Sequence, residues 1–307
     1  MNEYAPEGRL LNLEENRRAQ SSPRLLREAM REGRMLEAPA VFCDSRHNLG
    51  VELGCMKGII PREEGALGIR DGSVRDIAVI SRVNRPVRFI VEEIRKDESG
   101  REYAVLSREK AQRKCLEARV AFLRSGDIVD ARITHLESFG AFADIGCGIV
   151  ALMPIDAISI SRIEHPKERF TVGMDIKAII KHIENGRISL SHKELLGTWE
   201  QNAARFQAGE TVSGTVRSVE NYGAFVELAP NLAGLAESKD GVRIGQQASV
   251  YIKSILPDRM KIKLIIIDTF DHRREPAPPD YFITEGHIDR FLYSPVNCSK
   301  VIESSFE

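Results

Sequence analysis

The chain has 307 residues, 42% of them hydrophobic and 29% charged, with a formal net charge of −1. That is enough for two or three domains with sizeable cores, and it excludes a global basic field, so any polyanion must be held by a local patch. No apolar run approaches the roughly 20 residues that span a bilayer, and the first residues show no secretory pattern, so a cytoplasmic protein without membrane contact is expected.

Residues 1–33 read as an arm with one helix, SSPRLLREAMREG. Ser22 suits the N-cap and Pro23 the first turn, and Leu25, Leu26 and Ala29 form an apolar stripe. Such a stripe must be buried on its own barrel or on another protein.

Residues 34–118 read as a degenerate first copy of a repeated module. NLGVELGCMKGIIP (48–61) lies loosely over GAFADIGCGIVALMP (140–154), and GSVRDIAVISRV (72–83) reads as an inserted strand pair. Two clear copies come next, over 119–200 and 201–268. ESFGAFADIGCGIVAL (137–152) and ENYGAFVELAPNLAGL (220–235) match at an offset of 83 residues, and SGDIVDARI (125–133) lies over AGETVSGTV (208–216) at the same offset. Between them, KELLGTWEQNAARF (193–206) has helical spacing, with Leu195, Leu196, Trp199 and Phe206 placed to pack between barrels. The segment 269–307 begins with DHRREPAPPD, expected to be an extended, unpacked linker leading into a tail.

Within a copy the period is two. Val129, Ala131 and Ile133 alternate with Asp130, Arg132 and Thr134, and Ile176, Ala178 and Ile180 with Lys177, Ile179 and Lys181. About five short strands in about 70 residues, with a long gap after the third, suit the OB-fold. The expected class is all-β: tandem five-stranded OB-fold barrels, two clear and one degenerate, with short connecting helices and an N-terminal helical arm.

Phe139 and Phe142 are three apart, so an uninterrupted strand would put them on opposite faces; Gly140 permits a bulge or sharp coil that brings both to one side. Tyr222, Gly223 and Phe225 repeat the arrangement. Taken alone, Phe139 and Tyr222 are more simply plugs of the barrel end. The accompanying cations favour a stacking platform for single-stranded RNA: Arg132, Lys181 and Arg187 in one copy, and Arg217, Lys253, Lys261 and Lys263 in the other, joined there by Tyr251. Asp144 and Glu227 are expected on the same face and oppose it. The first copy offers only His47 and Gly50 where the others have rings, which suggests a spacer or protein-docking barrel.

GDIVDARITHLESFGAFADI…RISLSHK and the joining ELLGTWEQNAARFQAGETVSGTV resemble the tandem RNA-binding domains of the bacterial small-subunit ribosomal protein S1 family, strongly over 119–268 and weakly over 34–118. The resemblance implies RNA contacts at Phe139, Phe142 and Arg187 and at Tyr222, Phe225 and Lys261. It also implies attachment to the small ribosomal subunit through the N-terminal region. Pro154 and Glu237 stand where that family has a histidine. Asp258 resembles its acidic residue before the fifth strand, and the second copy has Glu184 nearby.

The five cysteines form no Cys-x-x-Cys pair, and the seven histidines show no metal-ligand spacing. No catalytic motif stands out, so the expectation is a binding protein with no catalytic residue, metal or cofactor. Its expected role is non-catalytic binding of single-stranded mRNA in translation. The alternative is a protein-interaction scaffold, or a regulator of RNA metabolism with weak RNA binding, which the near-neutral charge favours.

Overall fold

The computed structural model describes residues 3–184, 186–271 and 275–306. Three closed five-stranded barrels succeed one another along the chain. The first contains β1 (Met35–Cys43), β2 (Leu49–Glu52), β3 (Lys57–Ile60), β4 (Arg85–Lys96) and β5 (Glu102–Ser107), closed in the order β1-β2-β3-β5-β4. The second contains β6 (Ile128–Glu137), β7 (Gly140–Asp144), β8 (Val150–Pro154), β9 (Asp175–Glu184) and β10 (Arg187–Ser191). The third contains β11 (Thr211–Glu220), β12 (Gly223–Ala229), β13 (Leu232–Ala236), β14 (Gln247–Leu256) and β15 (Lys261–Phe270). Each closes in the same way, its third strand running parallel to its fifth. This is the five-stranded Greek-key barrel of an OB-fold. The period of two is the cause: Val129, Ala131, Ile133, Ile176, Ala178 and Ile180 are all buried, while the residues between them, Ile179 apart, face out.

The chain divides into two compact units, Met1–Leu123 with Asp144–Val150, and Arg124–Ala143 with Ala151–Glu307. In the first, α1 (Glu14–Ala19) and α2 (Pro23–Arg31) precede the barrel. Ser22 caps α2, its Oγ accepting from Leu25 N at 3.3 Å. Leu26 and Ala29 bury completely in the barrel's own core, which answers where the stripe goes. Residues 72–83 are not a strand pair. They form turns around a short helix, α3 (Ile77–Ile80), whose Val79 is buried in the core with Ala78 packed against it, while Ile77 and Ile80 are exposed. Ile80 N and Val79 N both return to Asp76 O, so local hydrogen bonds override the alternating pattern. After the barrel comes α4 (Arg108–Ala118), capped by Ser107.

The arm is held by buried charge. Glu37 on β1 faces Arg88 on β4, and their side chains meet at 2.8 Å with no exposure. Arg88 also donates to Glu3 O at 2.6 Å and Ala5 O at 3.3 Å. Glu7 accepts from Arg108 Nε at 2.7 Å and Arg88 N at 3.0 Å. Asp144 accepts from Glu7 N, Gly146 N and Gly148 N. Burial and the neighbouring Glu7 push its carboxyl up to about 6.

In the second unit the KELLGTWEQNAARF segment is broken. A 3-10 turn at Lys193–Leu196 and α5 (Trp199–Ala203) flank Gly197, whose φ of +84° ends the helical run. Trp199 joins the core of the third barrel, and Leu195 packs with Ile179 of the second. Asn231, fully buried in the β12–β13 hairpin, accepts from Ile160 N at 3.0 Å and donates to Lys193 O and Gly197 O. Its own carbonyl accepts from Tyr293 Oη.

Of the proline-rich linker, residues 272–274 lie outside the described residues, and 275–280 are largely exposed. The remainder of the tail is docked. β16 (Arg290–Leu292) pairs with β17 (Glu303–Ser305), Phe291 and Tyr293 bury against the third barrel, and Phe306 joins Ile179 and Leu195. Tyr281 Oη accepts from Lys177 N and bonds His192 Nε2, both at 3.0 Å. His192 lies within 2.9 Å of Ile158 O through Nδ1, and burial pushes its pKa down to about 4.

Candidate nucleic-acid interface

The doubled phrase places two pairs of rings. Phe139 and Tyr222 lie in the tight turns that join the first and second strands, and β7 and β12 begin at the next residue, the glycine. They are 56% and 66% exposed, which removes the plug reading. Phe142 and Phe225, half-buried, point outward from the next strand positions. The rings meet edge to face, with centroids 6.0 Å apart for Phe139–Phe142 and 6.4 Å for Tyr222–Phe225, both at 90°.

The glycine between the rings acts differently from the bulge expected of it. A Cβ on Gly140 would stand 2.4 Å from Met153 O, and one on Gly223 2.2 Å from Ala236 O. The turn backbone closes onto the end of the third strand, where Ile155 N donates to Phe139 O at 2.9 Å. Turn placement brings the rings together, and the glycine permits the approach.

Strand register supplies the cations. In the third barrel Phe225 pairs with Leu235, and Leu235 with Lys263, so one row on the outer face runs from ring to ammonium. Ala233 pairs with Glu227 on the neighbouring row. Lys261, two residues before Lys263, is exposed, as is Lys253, whose Nζ lies 3.7 Å from Glu237. Tyr251 is half-buried opposite Ile265. In the second barrel Lys181 and Arg187 are exposed at the ends of β9 and β10, and Arg132 is held by Asp175 at 2.7 Å.

Three expectations are corrected. Arg217 is not on the open face: only 11% exposed, it binds Glu227 at 2.8 Å and also pairs with Glu168, while Arg169 takes Glu227 at 2.5 Å. A register shift between Val216 and Ser218 turns it aside. Asp144 and Glu227 do not share the ring face with solvent either. Both are buried, Asp144 by backbone donors and Glu227 by the two arginines, so neither opposes a phosphate there.

Two rings escaped the sequence reading. His135, exposed at the end of β6, has its centroid 6.2 Å from Phe142 and its Nε2 2.5 Å from Glu137. Strict alternation from Ile133 would have turned it inward, yet it is exposed. Phe42, at the same place on β1, is 51% exposed. A ring at the matching position of two first strands was the available signal.

A family model described as S1 RNA binding domain matches residues 123–193, the second barrel. Small ribosomal subunit protein bS1 of Staphylococcus epidermidis is 30% identical over 259 residues, covering 78% of this chain and 63% of that protein. The protein of the same name from Leuconostoc lactis is 30% identical over 236 residues, covering 74% of this chain and 52% of its own length. The chain thus spans between half and two thirds of these relatives. A multidomain protein with nucleic acid binding domains from Streptococcus pneumoniae is matched over 77% of this chain and 74% of its own, at 12% identity and a TM-score of 0.25, too low to bear on the fold. Over residues 123–193 the second barrel thus matches the S1 RNA binding domain, and the chain around it is similar to small ribosomal subunit protein bS1.

Proposed function

We propose that this protein binds single-stranded RNA without catalysis, through the outer faces of its second and third barrels, as an mRNA-binding protein associated with the small ribosomal subunit. The observation that carries the reading is the exposed, perpendicular ring pair built at the same place in two barrels. Unstacked bases lie on such rings at about 1–3 kcal/mol each, without need of a particular sequence. In this reading the repeats over 119–200 and 201–268 are the RNA-binding modules. Phe139, Phe142, Tyr222 and Phe225 stack, and Lys181, Arg187, Lys253, Lys261 and Lys263 meet phosphates. Arg132 contributes through its exposed edge, and Arg217 is held by Glu227 and Glu168 instead. The likeness to bS1 supports a place in translation.

The test is a titration of the whole chain against a labelled, unstructured oligonucleotide at several salt concentrations, with sedimentation alongside small ribosomal subunits. Binding that weakens steeply with salt is expected. Absence of binding at low salt would return the scaffold reading.

A further inference from the structure

The first barrel has no ring on its second strand. Gly50 stands where Phe142 and Phe225 stand in the other two, and the space above it is filled from the side. Phe42 on β1 pairs with Gly50 in register, and a Cβ built on Gly50 would lie 2.0 Å from the Phe42 ring. The ring rests on glycine backbone with half of its surface in solvent, and it takes no part in the barrel core. The missing ring has moved one strand over.

The cation has moved as well. In the third barrel Lys261 lies on β15, two residues before Lys263, whose partner on β13 is Leu235. In the first barrel the corresponding β5 residue is Tyr103, and its partner on β3 is Lys57. Arg95 on β4 flanks Tyr103 from the other side. Lys57 and Arg95 are exposed, and Arg95 keeps Glu93 at 2.7 Å. Gly50, Ile59 and Val105 form the row between Phe42 and Glu93, with Ile59 and Val105 half-buried. Glu52 and Glu93 share this outer face, so it is less cationic than that of the third barrel.

We propose that the first barrel carries a third stacking site for single-stranded RNA, in which Phe42 seated on Gly50 holds a base and Lys57 and Arg95, beside Tyr103, receive the flanking phosphates. This rests on the RNA-binding reading of the other two barrels and extends it to the one that sequence comparison left without rings. An exposed phenylalanine with one face on backbone has its other face open to an aromatic base, which is what a sequence-tolerant platform requires. The glycine has a purpose in this arrangement, because any side chain at position 50 would lift the ring off its seat.

The experiment is photocrosslinking of the whole chain to a uridine-rich oligonucleotide carrying thiouridine, roughly 30 nucleotides long to serve three barrels at about 10 each. Crosslinked peptides are then mapped by mass spectrometry. Three peptides are expected, around Phe42, around Phe139–Phe142 and around Tyr222–Phe225. Phe42→Ala should abolish the first crosslink, leave the other two, lower affinity about five-fold or more by the loss of one stacked base, and leave the melting temperature unchanged. Gly50→Ala, which forces the ring to shift, should weaken the same crosslink while Phe42 is still present. Crosslinks at the second and third barrels without one at the first would overturn this inference and leave the proposed function standing. Absence of crosslinks at all three would overturn both.

Discussion

The first and second barrels carry an acid–base pair at the same address, two residues into the first strand and across to the fourth. In the first it is Glu37 and Arg88, wholly buried; in the second it is Asp130 and Lys177 at 2.8 Å, partly in solvent. The third barrel has Ser213 and Ser249 there. The strands differ little, and the cover differs entirely. Residues 3–10 lie over the first pair, donating Leu10 N to Glu37 and receiving Arg88 at Glu3 O and Ala5 O. The lesson is that register fixes which charges meet, and the cover on top decides whether they are structure or surface.

Removing one partner of each pair should separate them most sharply. Arg88→Met strands Glu37 in the interior and is expected to cost the first unit ~3–5 kcal/mol. Lys177→Met should cost within ~1 kcal/mol, as screened surface pairs do. Denaturant unfolding of both variants checks this, and equal losses would dissolve the comparison.

Acid should discriminate the units in opposite directions. His192 has its folded pKa pushed down from 6.5 to about 4, so below pH 6.5 the unfolded chain takes up a proton that the fold refuses. Stability of the second unit should therefore fall as pH drops from 6.5 towards 4, by up to ~3 kcal/mol. Asp144 has its pKa raised, so its contribution to the first unit is fully present below the ordinary carboxylate range and is lost as pH rises through about 6. Melting curves across that range, with His192→Asn as the flat control for the second unit, would expose a common slope if the contrast is wrong.

At the rings the two kinds of region part again. Phe142→Ala and Phe225→Ala should each weaken RNA binding by ~1–3 kcal/mol with little change in melting temperature. A large drop in melting temperature at unchanged affinity would make these rings structural. Smallest is the change in salt dependence. Arg187→Glu with Lys261→Glu should flatten the slope by on the order of 1.4, at about 0.7 per phosphate. Arg217→Gln, inside its cluster with Glu227 and Glu168, should lower stability and leave the slope alone.

Much of this was legible because strand alternation is a local rule. Val129, Ala131 and Ile133 declared one barrel wall, and the 83-residue echo declared its copy. The illegible part was set by one local competition and several distant contacts. Residues 72–83 alternate like a strand, yet Val79 N and Ile80 N bond back to Asp76 O and residues 77–80 coil into a helix. Arg217 reads as outward, but a register shift turns it aside and Glu227 and Glu168 from other segments close over it. The ring on Gly50 comes from β1, a cross-strand relation that an alignment of like positions cannot show. The tail looked unpacked because its apolar residues are sparse, yet Phe291, Tyr293 and Phe306 are enough to dock it.

Asn231 has a consequence for how a long ligand is held. Its side chain and carbonyl gather a loop of the second barrel, the inter-barrel segment and the tail at one buried point. Two faces joined by such a knot keep a fixed span, unlike modules on a flexible tether. A strand bound at one face presents its remainder to the other at an effective concentration set by that span alone. Affinity should thus rise in a step once the oligonucleotide is long enough to bridge these two faces. If the proposed function holds, such a pair of faces measures the ligand's length and tolerates almost any sequence within it.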